Sequence, residues 1–183
     1  VQIILMAELI RSLNEGIDDS DEMGALLRGL DGGFIAPGPS GLITRGRPDI
    51  LPTGRNFYSL DPATVPTKAA WMVGQRLADA LLATFMEEHG AYPRSVAMYW
   101  QSTDLMWADG EQFAQILHLI GVRPVWKAGK VVSFEIIPVH ALGRPRVDVT
   151  IRVSAILRDC FFSAIELLDQ AFAAVSELDE SDD

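Results

Sequence analysis

The chain has 183 residues, of which 49% are hydrophobic, and its 15 basic and 25 acidic side chains give a formal net charge of −10. This composition is typical of a folded chain with a sizeable core, whereas the excess of acids argues against general nucleic-acid binding, which needs cations to displace phosphate counterions. No hydrophobic run approaches the ~20 residues that a membrane-spanning helix requires, so we expect no membrane span.

The first third of the chain divides into a helical part and a part without regular periodicity. Apolar residues at helical spacing predict a helix from about Ile3 to Leu13 and a shorter one from Met23 to Leu30. Residues 31–66 are dense in glycine and proline, which excludes regular elements. Apolar residues such as Phe34 and Ile50 argue against disorder, so we expect an ordered, extended segment there.

The rest of the chain alternates helices and strands. The predicted elements are a helix from Lys68 to about His89 between a Thr67 cap and a Gly90 stop, the strand Ser95–Gln101, the helix Glu111–Ile120, the strands Gly121–Trp126, Val131–Pro138 and Val147–Val153, and a final helix from Leu157. This order predicts an α/β fold with a mostly parallel sheet of about three to four strands flanked by helices. The strand ends at Gln101, Trp126 and Ser154 would then share one edge.

This pattern divides the chain into four parts. We expect a helical extension (1–30), the extended glycine- and proline-rich segment (31–66), an α/β domain (67–178) and an acidic tail (179–183). The chain begins at Val1, in what looks like the middle of a helix, so we expect a piece cut from a longer protein. The single cysteine, Cys160, has no internal disulfide partner, which favours a reducing, cytoplasmic location.

The loop that leaves the strand Ser95–Gln101 is the first place where we expect chemistry. Ligands of open α/β sheets usually bind at the loops that leave the carboxyl ends of strands. This loop contains Ser102, Thr103 and Asp104, and Glu111 opens the helix that follows it.

Four segments together resemble the large subunit of the ATP-dependent metal chelatases, the family that includes the large subunits of cobaltochelatase and of magnesium chelatase. They are Leu51–Pro62, Thr103-Asp104 with Gly110-Glu111, Ile120–Trp126, and Leu142–Thr150 running on to Arg158-Asp159. The resemblance covers residues 33–175. The residues at 55–58 and 123–126 look more like those of the cobaltochelatases than those of the magnesium chelatases.

The resemblance implies that the chain is a fragment of a tetrapyrrole-binding subunit. The family inserts a divalent metal substrate into a tetrapyrrole, and two smaller subunits form an ATPase motor. Cobalt, for cobalamin-type cofactor biosynthesis, is the implied metal; magnesium, in a protein like the large subunit of the magnesium chelatase of chlorophyll synthesis, is the alternative. A non-catalytic docking module of the complex is a further alternative, and the isolated fragment is expected to be inactive. Since the sequence lacks Gly-x-x-x-x-Gly-Lys-Ser/Thr, ATP would be used by the partner subunits.

Metal insertion releases two pyrrole protons, which a carboxylate or imidazole beside the ring can accept. Glu111, which matches the family's Gly-Glu, and Asp104 are therefore the catalytic candidates. His118 lies two turns beyond Glu111 on one helix face, so this pair is also a candidate metal site. Each has a structural alternative: Glu111 as an acid in a first turn, Asp104 as a helix cap, and His118 as a side chain on a solvated face.

Four further residues are candidates for substrate binding: Arg55, Asn56, Thr103 and Arg158. A guanidinium group suits the geometry of a carboxylate, so Arg55 and Arg158 could pair with acidic side chains of the ring. The alternative for Arg55 is an internal salt bridge that fixes its loop.

The sequence also departs from the family's usual residues near this site. The departures are Gln101, Ser102, Leu105, Trp107 and Asp109. Either this chain acts on another macrocycle or metal, or these positions do not contact the reacting groups.

Overall fold

The computed structural model describes residues 2–41, 43–45, 47–58 and 60–180, without the side chains of residues 45, 57 and 58. The chain forms two compact units, Val1–Leu60 and Asp61–Asp183. No helix in these described ranges is long and apolar enough to cross a membrane. The predicted division into four parts remains a prediction.

The first unit contains two helices and a short pair of strands. Helix α1 spans Gln2–Asp18, and α2 spans Glu22–Leu30. The Asp21 carboxylate caps α2 by accepting a hydrogen bond from the Gly24 N–H at 2.8 Å. Strands β1 (Pro37–Pro39) and β2 (Asn56–Tyr58) pair in parallel.

Short elements therefore exist where glycine and proline predicted no regular structure. Besides β1 and β2, single turns of 3-10 helix occupy Ile43–Arg45 and Pro48–Ile50. Each of these elements is three residues long, because glycine and proline interrupt any longer run of backbone hydrogen bonds.

The second unit is organised around one buried helix. Its elements are a 3-10 turn at Pro62–Thr64, α3 (Lys68–His89), β3 (Ser95–Trp100), α4 (Ser102–Trp107), α5 (Glu111–Leu119), β4 (Val122–Lys127), β5 (Lys130–Ile136), α6 (Val139–Leu142), β6 (Asp148–Val153), α7 (Ala155–Cys160) and α8 (Phe162–Ser176). Helix α5 buries Phe113, Ile116 and Leu117 completely, so the core of this unit surrounds it.

The α/β class is confirmed, and the strands are arranged in pairs. Among the described residues, β1–β2 and β3–β6 are parallel pairs, whereas β4–β5 is an antiparallel hairpin. Gln101 and Ser154 therefore follow neighbouring parallel strands, as predicted. Trp126 instead lies within β4, because the two-residue turn at Ala128 and Gly129 folds that strand back onto β5.

Two helix assignments differ from the sequence prediction. The predicted polar loop after β3 is largely the short helix α4, which begins at Ser102. The predicted final helix is two helices, α7 and α8, separated at Phe161, whose ring is buried.

Candidate functional site

Asp104 is the acid most firmly held at the end of β3, and only 8% of its surface is exposed. Its carboxylate accepts hydrogen bonds from the Trp100 indole N–H at 2.9 Å and from the backbone N–H groups of Gln112 (2.8 Å) and Phe113 (3.0 Å). Burial raises the pKa of the Asp104 carboxyl above its ordinary value, while these donors act in the opposite direction. Asp104 therefore caps the first turn of α5, as its structural alternative predicted.

Glu111 begins α5 beside Asp104. The chain enters this helix through Gly110, whose φ of 86° favours glycine and whose N–H donates to the Asp104 carbonyl at 3.0 Å. Glu111 is half-buried, and its carboxylate makes no hydrogen bond or ion pair with another described residue. A half-buried carboxylate without such a partner keeps its lone pairs available for a proton or a metal ion.

The starts of α4 and α7 lie side by side. The Ser154 N–H donates to the Trp100 carbonyl at 3.0 Å, and the Ser102 N–H donates to the Ser154 hydroxyl oxygen at 3.2 Å. Thr103, half-buried in the first turn of α4, therefore belongs to the same edge as Asp104 and Glu111.

Arg158 lies on α7, the helix that begins beside α4, and is exposed. Its guanidinium donates to the carboxylate of its neighbour Asp159 at 2.8 Å. No hydrogen bond or ion pair connects Arg158 to Asp104 or Glu111 within the described part of the chain. The structure therefore brings Thr103, Asp104 and Glu111 together and leaves Arg158 paired elsewhere.

Helix α3 covers the face of α5 that helical spacing assigned to solvent. A Cβ at Gly74 would lie 2.5 Å from the Ala114 Cβ and 2.7 Å from the Glu111 carbonyl oxygen, so only glycine permits this approach. His118 is consequently 9% exposed. The prediction that the His118 face of α5 is solvated is therefore wrong, because the close crossing of α3 and α5 buries both sides of α5.

His118 contacts α3 through both its edge and its ring. Its Nε2 lies 3.1 Å from Oδ1 of Asp79, and its ring packs edge-on against Trp71 with 5.8 Å between centroids. The buried Nδ1 has no hydrogen-bond partner among the described residues. Burial lowers the pKa of His118, whereas the hydrogen bond to Asp79 acts in the opposite direction.

The predicted metal ligands do not form a cluster in the described structure. Within residues 2–41, 43–45, 47–58 and 60–180, no group of three or more His, Cys, Asp and Glu side chains could hold a metal ion. The assignment of Glu111 and His118 as metal ligands therefore stays a prediction.

Two arginines secure the opposite end of α5. Arg144 is buried and donates to the backbone carbonyls of His118 (2.6 Å), Leu119 (3.2 Å) and Pro145 (3.0 Å). Arg146 donates to the Ile120 and Gly121 carbonyls at 3.1 and 2.8 Å. Guanidinium groups add hydrogen bonds to the carbonyls near the C-terminus of a helix, so α5 is fixed at both ends.

Arg55 and Asn56 belong to the first unit. Both border a cavity of about 700 Å³ that also contacts α2. The Asn56 N–H donates to the Ala36 carbonyl at 3.0 Å, which starts the pairing of β1 with β2. The Arg55 side chain is exposed and has no acidic partner among the described residues, so the internal salt bridge considered as its alternative is not formed with them.

Asp79 and Gly74 are the residues of this arrangement that sequence reasoning missed. Asp79 lies 39 positions before His118, and nothing local in the sequence pairs the two. Gly74 did carry a signal, because a glycine inside a helix costs stability and usually marks a close contact.

Comparison with known proteins identifies a single family. A family model described as CobN/Magnesium Chelatase matches residues 3–183. The uncharacterized protein MJ1441 of Methanocaldococcus jannaschii is 58% identical over 96% of this chain, and the aerobic cobaltochelatase subunit CobN of Sinorhizobium sp is 46% identical over 97%. The chloroplastic magnesium-chelatase subunit ChlH of Oryza sativa subsp. japonica is 41% identical over 89%.

A solved structure agrees with these relatives. The catalytic subunit of cobaltochelatase from Mycobacterium tuberculosis is 48% identical, with a TM-score of 0.83 over 87% of this chain and 14% of that chain. The chain likewise spans 14% of the MJ1441 and Sinorhizobium proteins and 12% of the Oryza protein. It is therefore similar to a small part of each.

Proposed function

The chain belongs to the CobN/magnesium chelatase family, and from this membership we propose that it forms part of the tetrapyrrole-binding large subunit of a cobaltochelatase. The observation that carries the choice of cobalt is the order of sequence identity. Identity is 46% and 48% with two cobaltochelatase subunits and 41% with a magnesium-chelatase subunit. Magnesium remains the alternative metal.

Glu111 is the proton acceptor in this proposal. Insertion of a divalent cation requires two pyrrole N–H protons to leave, and a positioned carboxylate can take them. The Glu111 carboxylate has no hydrogen-bond or ion-pair partner among the described residues, which supports this role. Oxygen ligands also suit a hard or borderline divalent metal that must later be released to the ring.

Asp104 acts through α5 rather than on the ring. The Asp104 carboxylate already accepts three hydrogen bonds from the protein. Two of them come from backbone N–H groups of α5, so the carboxylate orients the first turn of the helix that carries Glu111. Thr103, on the same edge, provides a hydroxyl that can contact the macrocycle. For Arg158 to pair with a carboxylate of the ring, its ion pair with Asp159 must break.

The proposal extends to finer features of the complex. We infer that ATP is consumed by separate motor subunits and that the divalent metal is a substrate rather than a resident cofactor. We also propose a cytoplasmic location, which a free and exposed thiol at Cys160 supports.

A Glu111→Gln substitution in the full subunit, assayed together with its motor subunits, tests this proposal. The amide keeps the size of the side chain but cannot take a proton, so metal insertion should fall by about a hundredfold or more. The absorbance of the macrocycle reports insertion, and a separate titration reports ring binding, which should persist. Glu166→Gln, an exposed change on α8, is the matched control. Undiminished insertion by the Glu111 variant would remove Glu111 as the proton acceptor.

A docking module of the chelatase complex is the second candidate function. The observation that favours it is α1, which has no buried residue although it carries apolar side chains such as Ile3, Leu9 and Ile10. Such a surface suits a protein partner, here the motor subunits. Copurification of the chain with the motor subunits, without any absorbance change on titration with the ring, would favour this function over ring binding.

A further inference from the structure

A cavity of about 700 Å³ opens in the first unit between α2 and the segments 33–35 and 54–56. Its apolar lining consists of Ala25, Leu26, Leu30, Phe34 and Ile35. Leu30 and Phe34 are 77% and 81% exposed, so this apolar lining is open to solvent. The volume lies within the ~300–1,000 Å³ range of small-molecule sites.

The loop that carries Arg55 is fixed to the start of α2. The Thr53 N–H donates to the Ser20 hydroxyl oxygen at 2.9 Å, and the Thr53 hydroxyl donates to the Glu22 carboxylate. Gly54 has a φ of 76°, and a Cβ there would lie 2.5 Å from the Asp21 carbonyl oxygen. The backbone before Arg55 is therefore held close to the start of α2, an approach that only glycine permits at position 54.

The stem of Arg55 is also supported. A Cβ at Gly38 would overlap the Arg55 side chain, so this glycine leaves room for the stem to cross β1. Gly38 itself is buried and is paired with residue 57 across the parallel strands. Gly54 thus holds the loop before Arg55 against the start of α2, and Gly38 leaves the space that the Arg55 stem occupies at the border of the cavity.

Arg55 differs from Arg11 and Arg28, two other described arginines of the first unit, in its lack of an acidic partner within the described ranges. Arg11 pairs with Glu15 at 3.7 Å, and Arg28 pairs with Asp21 at 3.8 Å. Arg55 has no acidic partner among the described residues. Glu22, an acid that borders the cavity, already accepts the Thr53 hydroxyl.

We propose that this cavity binds a flat, apolar ring through one of its carboxylate side chains, with the Arg55 guanidinium pairing with that carboxylate. An unpaired guanidinium beside an apolar wall complements a ligand that is apolar in its body and anionic at its edge. Leu26, Leu30 and Phe34 contact the ring itself. This inference rests on the proposed function, because it assigns one contact of the tetrapyrrole to the first unit.

Titration of the full subunit with deuteroporphyrin, which bears two propionates, and with its dimethyl ester tests the inference by absorbance. Arg55→Gln should weaken porphyrin binding by about tenfold or more, since a hydrogen-bonded charge pair is lost. Binding of the diester should be weaker in the parent and unaffected by the substitution. Arg55→Lys, which keeps the charge, should bind the diacid better than Arg55→Gln. Arg11→Gln, which removes a paired arginine of the same unit, should match the parent.

The outcomes separate this inference from the proposed function. Porphyrin binding by the parent that is equal in Arg55→Gln would overturn the role of Arg55 and leave the proposed function intact. Equal binding of the diacid and the diester by the parent would have the same meaning. No porphyrin binding by the parent subunit would contradict the proposed tetrapyrrole binding and the inference with it. Thermal unfolding of each variant establishes that a loss of binding is not a loss of fold.

Discussion

The indole N–H of Trp100 donates to the Asp104 carboxylate at 2.9 Å, in a contact buried between the end of β3 and the first turn of α4. The same carboxylate oxygen accepts the Phe113 N–H of α5 at 3.0 Å. A single side chain therefore joins a strand end to two helices. It also sets the position of Glu111, which lies in the turn that Asp104 caps.

Asp104→Asn should destabilise the chain by about 2 kcal/mol, because its amide nitrogen replaces an acceptor with a donor that faces an N–H group. Urea denaturation followed by circular dichroism measures this loss. Asp169→Asn, on the exposed side of α8, should change the free energy of unfolding by less than about 0.5 kcal/mol. Equal stability of the two variants would show that the Asp104 hydrogen bonds contribute nothing net.

Gly74→Ala should lower the free energy of unfolding by about 1–3 kcal/mol, since the new methyl would overlap the backbone of α5. Gly29→Ala is the matched control, because its Cβ would meet only Ile35 at 3.7 Å, an ordinary contact. The control should be neutral or stabilising by about 0.5–1 kcal/mol, given the higher helix propensity of alanine. Stabilisation by Gly74→Ala would mean that α3 and α5 can separate without cost.

Arg144→Lys should cost about 2 kcal/mol or more, because an ammonium group cannot reproduce the planar fork that reaches three carbonyls. Differential scanning calorimetry should show a lower melting temperature. Arg76→Lys, on the exposed face of α3, tests the same replacement without buried acceptors and should leave the melting temperature unchanged. A similar melting temperature for both variants would contradict the role of Arg144 as a cap of α5.

The stability of the chain should fall as the pH drops below about 6.5, the ordinary pKa of histidine. Burial lowers the pKa of folded His118, so the unfolded chain binds a proton first, and acid favours unfolding through this range. His118→Phe should reduce this slope, measured as the free energy of unfolding between pH 5 and 7. His140→Gln, an exposed change, should retain the slope. Identical slopes in the two variants would rule out His118 as its source.

Local sequence predicted the helices and strands with clear periodicity. Helix α3 begins after Thr67, whose hydroxyl accepts the Ala70 N–H at 3.1 Å, and ends at Gly90 with φ of 71°, as expected from the cap and stop residues. Helix α4 was not predicted, because a six-residue helix shows too little periodicity to distinguish it from a loop.

The candidate site was predicted only in part. Thr103, Asp104 and Glu111 are near one another in sequence, so their proximity followed from a strand, a turn and a helix start. The burial of His118 did not follow, since it depends on a helix that ends 22 positions before α5 begins and on the glycine that lets the two helices cross.

The sequence by itself determined the α/β class through its hydrophobic periodicity. It also determined the family, through four segments whose residues are specific to that family. Only the tertiary structure decided which polar groups are already engaged: the Asp104 carboxylate by α5, and the His118 Nε2 by Asp79. The physical reason is that periodicity is a property of neighbouring residues. A hydrogen-bond partner or a covering helix is set instead by the packing of segments far apart in the chain.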